Sequence, residues 1–134
     1  MVNDTTIRKD NGGNRRQIGL SLLAGPLVWA LHMSVVYPVT SLACAWDWFP
    51  GTLAGMPGLQ AFQLFVTIIA ALVVAAAGFS AWANWRRLRA DVPDDEPETA
   101  LSPFGAFLGV LSNALFFVAI ILSVVPIFTL SPCA

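Results

Sequence analysis

Fixed charge and histidine are what this chain has least of. Of its 134 residues only 11% are Asp, Glu, Lys or Arg, against 57% hydrophobic, and there is one histidine, His32. So little charge excludes an ordinary soluble domain, in which about a quarter of residues are charged. The mean hydropathy of +0.71 makes an integral membrane protein the expected class. A single histidine excludes a bis-imidazole haem site built from one chain, and a copper or zinc site normally assembles three or four His, Cys, Met or carboxylate ligands. There is also no Cys-x-x-Cys, no Ser-His-Asp set, no pair of carboxylates inside an apolar run and no glycine-rich phosphate loop. No independent enzyme, no cofactor of its own and no nucleic-acid partner are therefore expected. Without an internal repeat or a charge inside a span, a coupled transporter is not expected either.

What is present is three long uncharged stretches. Residues 17–46, 48–85 and 99–134 contain no Asp, Glu, Lys or Arg, and each exceeds the roughly 20 apolar residues that cross a bilayer as helix. The fold class expected is all-α, an integral membrane protein with three transmembrane helices at about 18–37, 62–82 and 104–125. Residues 1–17 form a polar cytoplasmic tail and 18–134 the transmembrane domain. A signal peptide is not expected, because the first 17 residues are polar and the first apolar run is longer than the usual 7 to 15 residues. The "SLAC" ending at Cys44 is only partly similar to a lipoprotein cleavage site, since Ser41 stands where such sites carry Leu.

The net charge of −1 conceals an asymmetry. All basic residues (Arg8, Lys9, Arg15, Arg16, Arg86, Arg87 and Arg89) precede the first span or follow the second. By the positive-inside rule the N-terminus and the loop after Arg86 are expected in the cytoplasm of a bacterial cell, with the first loop and the C-terminus in the periplasm. Trp82 and Trp85 beside Arg86 and Arg87 read as an interfacial anchor. The "DVPDDEPETA" segment that follows reads as a solvated linker, or as a docking site for a basic partner.

Within the first span, Pro26 lacks the N–H for a bond to residue 22, so a kink is expected; Pro38 is expected to end or bend the helix. A loop of about twenty residues should follow, with turns in "PGTLAGMPG" and with Trp46, Trp48 and Phe49 at the headgroup boundary. Ser102 reads as an N-cap with Pro103 at the first helical position. Along the third span Gly105, Gly109 and Asn113 recur every four residues and share a face suited to close helix contact, with Asn113 able to donate across it.

His32 lies in the half of the span nearer Tyr37, and an ionisable residue inside a membrane is costly enough to need a partner. A contact with another subunit, a contact within the chain, a proton path and a metal or haem ligand are the alternatives. A His32, Met33 and Cys44 copper site is disfavoured, because neighbouring helical positions diverge by about 100 degrees and Cys44 would lie about 18 Å away. The contact set expected for a partner is Trp29, His32, Gly105, Gly109 and Asn113. Cys44 and Cys133 both fall beyond the same ends of their spans, so a disulfide between them is expected if that side is an oxidising periplasm.

The stretch "GPLVWALHMSVVYPVTSLACAW", the "WRRLRA" after the second span and the terminal "SPCA" together resemble small membrane proteins encoded beside bacterial haem-copper terminal oxidases. That resemblance rests on Gly25, Pro26, Trp29, His32, Cys44 and Cys133. It implies an accessory subunit or assembly helper of a respiratory complex, with no catalytic residues to carry over. The rival expectations are a copper- or haem-handling assembly protein using His32 and the cysteines, and a small subunit of a photosynthetic complex.

Overall fold

The computed structural model describes the backbone of residues 4–91, 101–130 and 133, and the side chains of 19–90, 104–130 and 133. The acidic linker expected at 91–100 lies almost wholly outside the described residues. Four helices and one hairpin follow in the order α1 (Asp4–Trp46), β1 (Thr52–Leu53), β2 (Met56–Pro57), α2 (Gly58–Asp91), α3 (Leu101–Leu122) and α4 (Val124–Thr129). α3 packs on both α1 and α2, which also touch each other. Three stretches, Gly19–Trp46, Gly58–Ala90 and Phe104–Thr129, are long and apolar enough to cross a bilayer. The chain is thus an all-α, multi-pass membrane protein.

α1 corrects the expected boundaries at both ends. It starts at Asp4, so residues 4–17 of the expected polar tail continue the helix; once a helix is nucleated, each further residue adds a hydrogen bond at little cost. Pro38 stands inside α1 and does not end it. In lipid a helix break exposes backbone groups that nothing solvates, a greater penalty than the one bond a proline removes. The stop falls at Asp47, which takes a left-handed φ of 51° while the Trp48 N–H reaches back to the Ala43 carbonyl at 3.3 Å. That six-to-one bond closes a Schellman cap, and Asp tolerates the left-handed region better than most residues.

The connection is consequently shorter than expected, residues 47–57. It is pinned by an antiparallel hairpin with Thr52 opposite Pro57 and Leu53 opposite Met56. Its two turn residues, Ala54 and Gly55, have φ of 52° and 79°, the doubly positive pattern of a type I′ turn that matches strand twist. Phe49 stacks on Phe62 at 5.5 Å and fastens the hairpin to α2.

At the start of α3, Ser102 and Pro103 lie inside the first turn rather than at the cap. Proline is tolerated there because the first N–H groups have no intrahelical acceptor. The third span breaks at Ser123 and resumes as α4, whose Pro126 cannot donate to the Leu122 carbonyl. The core is small: Ala70, Ala71, Val74 and Ile120 are buried, with Val28 and Phe117 packed against them. Large residues such as Leu72 and Phe79 point outward. Lipid is as apolar as leucine, so helix contact goes to the residues that let backbones approach.

Candidate functional site

The buried polar side chains of the spans, His32, Gln63, Thr67 and Asn113, fall in two layers, one on either side of the apolar core. The first lies where α3 crosses the Gly25-Pro26 step of α1. Because Pro26 has no N–H, the carbonyl of Leu22 is released from its helical bond. Ser112 Oγ–H donates to it at 3.2 Å. One residue earlier, the Ser21 carbonyl accepts from Asn113 Nδ2 at 2.7 Å, and the second Nδ2 hydrogen goes to the Gly109 carbonyl, also at 2.7 Å. Two neighbouring α1 carbonyls are thereby gripped by two neighbouring α3 side chains.

Glycine makes the approach possible. A Cβ on Gly25 would meet Phe116, the Asn113 Cα and Asn113 Oδ1 at 3.2 to 3.3 Å, and one on Gly78 of α2 would meet the Asn113 Cβ at 3.3 Å. Gly109 is looser, with Ser21 at 3.5 Å. Asn113 is 1% exposed, and its Oδ1 has no hydrogen-bond partner among the described residues. One turn further along α1, Trp29 lays its ring against Phe116 with centroids 5.8 Å apart.

The second layer joins α1 to α2. His32, 4% exposed, has Nε2 at 3.0 Å from Thr67 Oγ1. The Thr67 hydroxyl donates to the Gln63 carbonyl at 2.8 Å, so its oxygen is left to accept from His32 Nε2–H. This assigns the proton to Nε2 by the network and leaves Nδ1 as an acceptor, buried and without a partner among the described residues. One turn on, Gln63 Nε2 donates to Thr40 Oγ1 at 2.7 Å, whose own proton goes to the Val36 carbonyl at 2.7 Å.

Beyond that layer, Cys44 near the end of α1 is bonded to Cys133 in the tail that follows α4. The Cα atoms are 5.4 Å apart across a sequence separation of 89. The disulfide expected from the sequence is therefore formed, and neither cysteine is available as a thiolate ligand.

The expected partner-contact set needs correction. His32, Gly109 and Asn113 face neighbouring helices of the same chain, because the rotation of α2 and α3 brings Thr67, Ser21 and Leu22 within bonding distance. Trp29 and His32 do not share an edge: the indole turns to α3 and the imidazole to α2. Trp29 remains 37% exposed and Gly105 half-buried, so only these two keep accessible surface. Sequence reasoning passed over Gln63, Thr67, Thr40 and Ser112. The signal existed for two of them, since Gln63 and Thr67 are one turn apart in an otherwise apolar stretch and so mark a single polar stripe.

Chemically, the arrangement locks three helices together. Among the described residues no three His, Cys, Asp or Glu lie close enough to hold a metal ion. The fold and the two layers define a small helical membrane protein with an internally bonded, disulfide-closed bundle. No protein-family model, curated protein or solved structure matches the chain.

Proposed function

We propose that this chain is a non-catalytic accessory or structural subunit of a larger membrane complex, namely a haem-copper terminal oxidase of the bacterial inner membrane, which it stabilises or helps to assemble. The observation that carries the reading is the use made of Gly25, Pro26, Trp29, His32, Cys44 and Cys133, the positions of the family resemblance. Gly25 and Pro26 open the α1 backbone to Ser112 and Asn113, and Trp29 meets Phe116. His32 bonds Thr67, and the cysteines bond each other. A signature whose members are engaged in holding helices together describes a rigid shape to be recognised, rather than a set of groups waiting for a substrate.

In this reading the N-terminus and the Arg86–Arg89 end lie in the cytoplasm, and the hairpin and disulfide lie in the periplasm, where an oxidising compartment maintains the bridge. Contact with the larger subunits runs over outward apolar faces bordered by Trp29. Close packing there supplies most of the affinity, because a hydrogen bond between helices in lipid is worth only about 1 kcal/mol.

The test is to purify the protein from its own membrane in mild detergent and take a mass spectrum and an absorption spectrum of what copurifies. Oxidase subunits with haem bands are expected. Recovery of the chain alone, or with stoichiometric copper, would overturn the accessory-subunit reading.

A further inference from the structure

At the basic end of α2 two arginines lie on two tryptophans. The Arg86 guanidinium sits 5.1 Å from the Trp82 ring centroid and that of Arg89 5.5 Å from Trp85. Positions 82, 85, 86 and 89 fall on one face, and together with Ala90 they line an open crevice of about 440 Å³. Trp85 is braced in turn by Phe107 of α3 at 5.8 Å, so the crevice is fixed to the bundle rather than carried on one free helix end.

A guanidinium over an indole is held there by the attraction of the cation to the ring, and its planar fork of N–H donors fits a phosphate. Both arginines are exposed. Below the crevice the same side of α2 carries Leu72 and Phe79, 65% and 67% exposed, and Phe79 abuts Trp82 at 5.8 Å. Headgroup chemistry therefore stands directly above an apolar track, at the end of the candidate span Gly58–Ala90.

We propose that Arg86 and Arg89, held on Trp82 and Trp85, form a specific site for the phosphate of an anionic phospholipid whose acyl chain lies along Phe79 and Leu72. Free phosphate has no use for the apolar track, whereas a phospholipid uses both parts. The site is independent of which complex the chain joins. It also differs from a diffuse basic anchor, because Arg87, exposed on the same turn but on neither ring, takes no part in it.

The experiment is lipid retention by the delipidated full chain in mild detergent, read by native mass spectrometry with phosphatidylglycerol or phosphatidylcholine added in equal amounts. Phosphatidylglycerol adducts are expected to predominate. Arg86→Ala and Arg89→Ala should each lower retention about tenfold, as expected for loss of a charge-assisted hydrogen bond to the phosphate. Arg87→Ala, with the same change of net charge, should lower it less than twofold. Arg86→Lys with Arg89→Lys keeps the charge but loses the fork and should also release lipid; circular dichroism of each variant should match the parent. Equal losses in all three alanine variants, full retention by the double lysine variant, or displacement of the lipid by inorganic phosphate at constant ionic strength would each overturn the proposal.

Discussion

Between α1 and α3, Asn113 and Ser112 bond to backbone carbonyls in a space that Gly25 and Gly78 keep clear; between α1 and α2, His32 and Gln63 reach threonine hydroxyls, side chain to side chain. The first layer needs backbones to come close, so its tolerance is set by Cβ clearance as much as by hydrogen bonding. The second is bridged from both sides by side chains, with no glycine between them, so its tolerance is set mainly by its hydrogen bonds. Proline acts on this difference. At Pro26 the missing N–H supplies the acceptor on which Ser112 docks, so a residue that weakens its own helix strengthens a contact with another.

The largest effect is expected where geometry and hydrogen bonding fail together. Asn113→Leu removes both Nδ2 bonds, worth about 1 kcal/mol each in a membrane interior. It also crowds Gly25 and Gly78, an overpacking cost of about 1 to 3 kcal/mol. A loss of about 3 kcal/mol is expected in reversible unfolding from mixed micelles. A loss below about 1 kcal/mol, the worth of a single such bond, would mean that the short carbonyl contacts carry little and that the apolar layer alone holds α3.

Glycine substitutions sharpen the same comparison without touching a hydrogen bond. Gly25→Ala forces a methyl to 3.2 to 3.3 Å from the backbone and side chain of Asn113 and from Phe116, whereas Gly109→Ala meets Ser21 at an ordinary 3.5 Å. Alanine gains helix propensity of about 1 kcal/mol at either site. Gly25→Ala is nevertheless expected to destabilise, by about 1 kcal/mol net once the crowding cost is included, and Gly109→Ala to be neutral or stabilising. Equal behaviour of the two in the unfolding assay would break the link between clearance and the first layer.

These layers also mark where the sequence stops being legible. The three spans and the arginine clustering are properties of residues taken singly or in runs, so they need no knowledge of neighbours. The Cys44–Cys133 bridge was legible because an odd number of crossings between two cysteines would have separated them, and two crossings did not. The partner of His32 was not legible in that way. Whether an imidazole on α1 meets Thr67 or another subunit depends on the rotation of α2 about its axis, and in lipid both faces of a helix are apolar, so hydropathy does not say which is inside. The same ambiguity led Asn113 and Gly109 to be read as an outward surface. Of the two outcomes expected at Pro38, an end or a bend, the end does not occur, for a related reason: the rule that proline ends helices is drawn from water, where a broken helix is rehydrated, and inside a bilayer it is not.

In the second layer, a double-mutant cycle of His32→Phe with Thr67→Val isolates the imidazole–hydroxyl bond. A coupling of about 1 kcal/mol or less is expected, in keeping with single hydrogen bonds between membrane helices. Coupling above about 2 kcal/mol, beyond the range for such bonds, would mean that the imidazole and the hydroxyl are joined by more than one ordinary interhelical hydrogen bond.

The smallest effect tests whether the covalent bond and the second layer do overlapping work. Thr40 stands one turn before Cys44 on α1, and the bridge restrains that end of α1 relative to the tail after α4, which packs on α2. With the bridge intact, Thr40→Val removes the acceptor of Gln63, but α1 cannot move far from α2, so the change in local opening by hydrogen exchange should stay below about 0.5 kcal/mol. Once the bridge is reduced the tether is gone, and the same substitution should cost the full bond, about 1 kcal/mol. An effect of Thr40→Val that is the same before and after reduction would show the two restraints to be independent, leaving the disulfide to hold the tail and the Thr40–Gln63 bond to hold the helices.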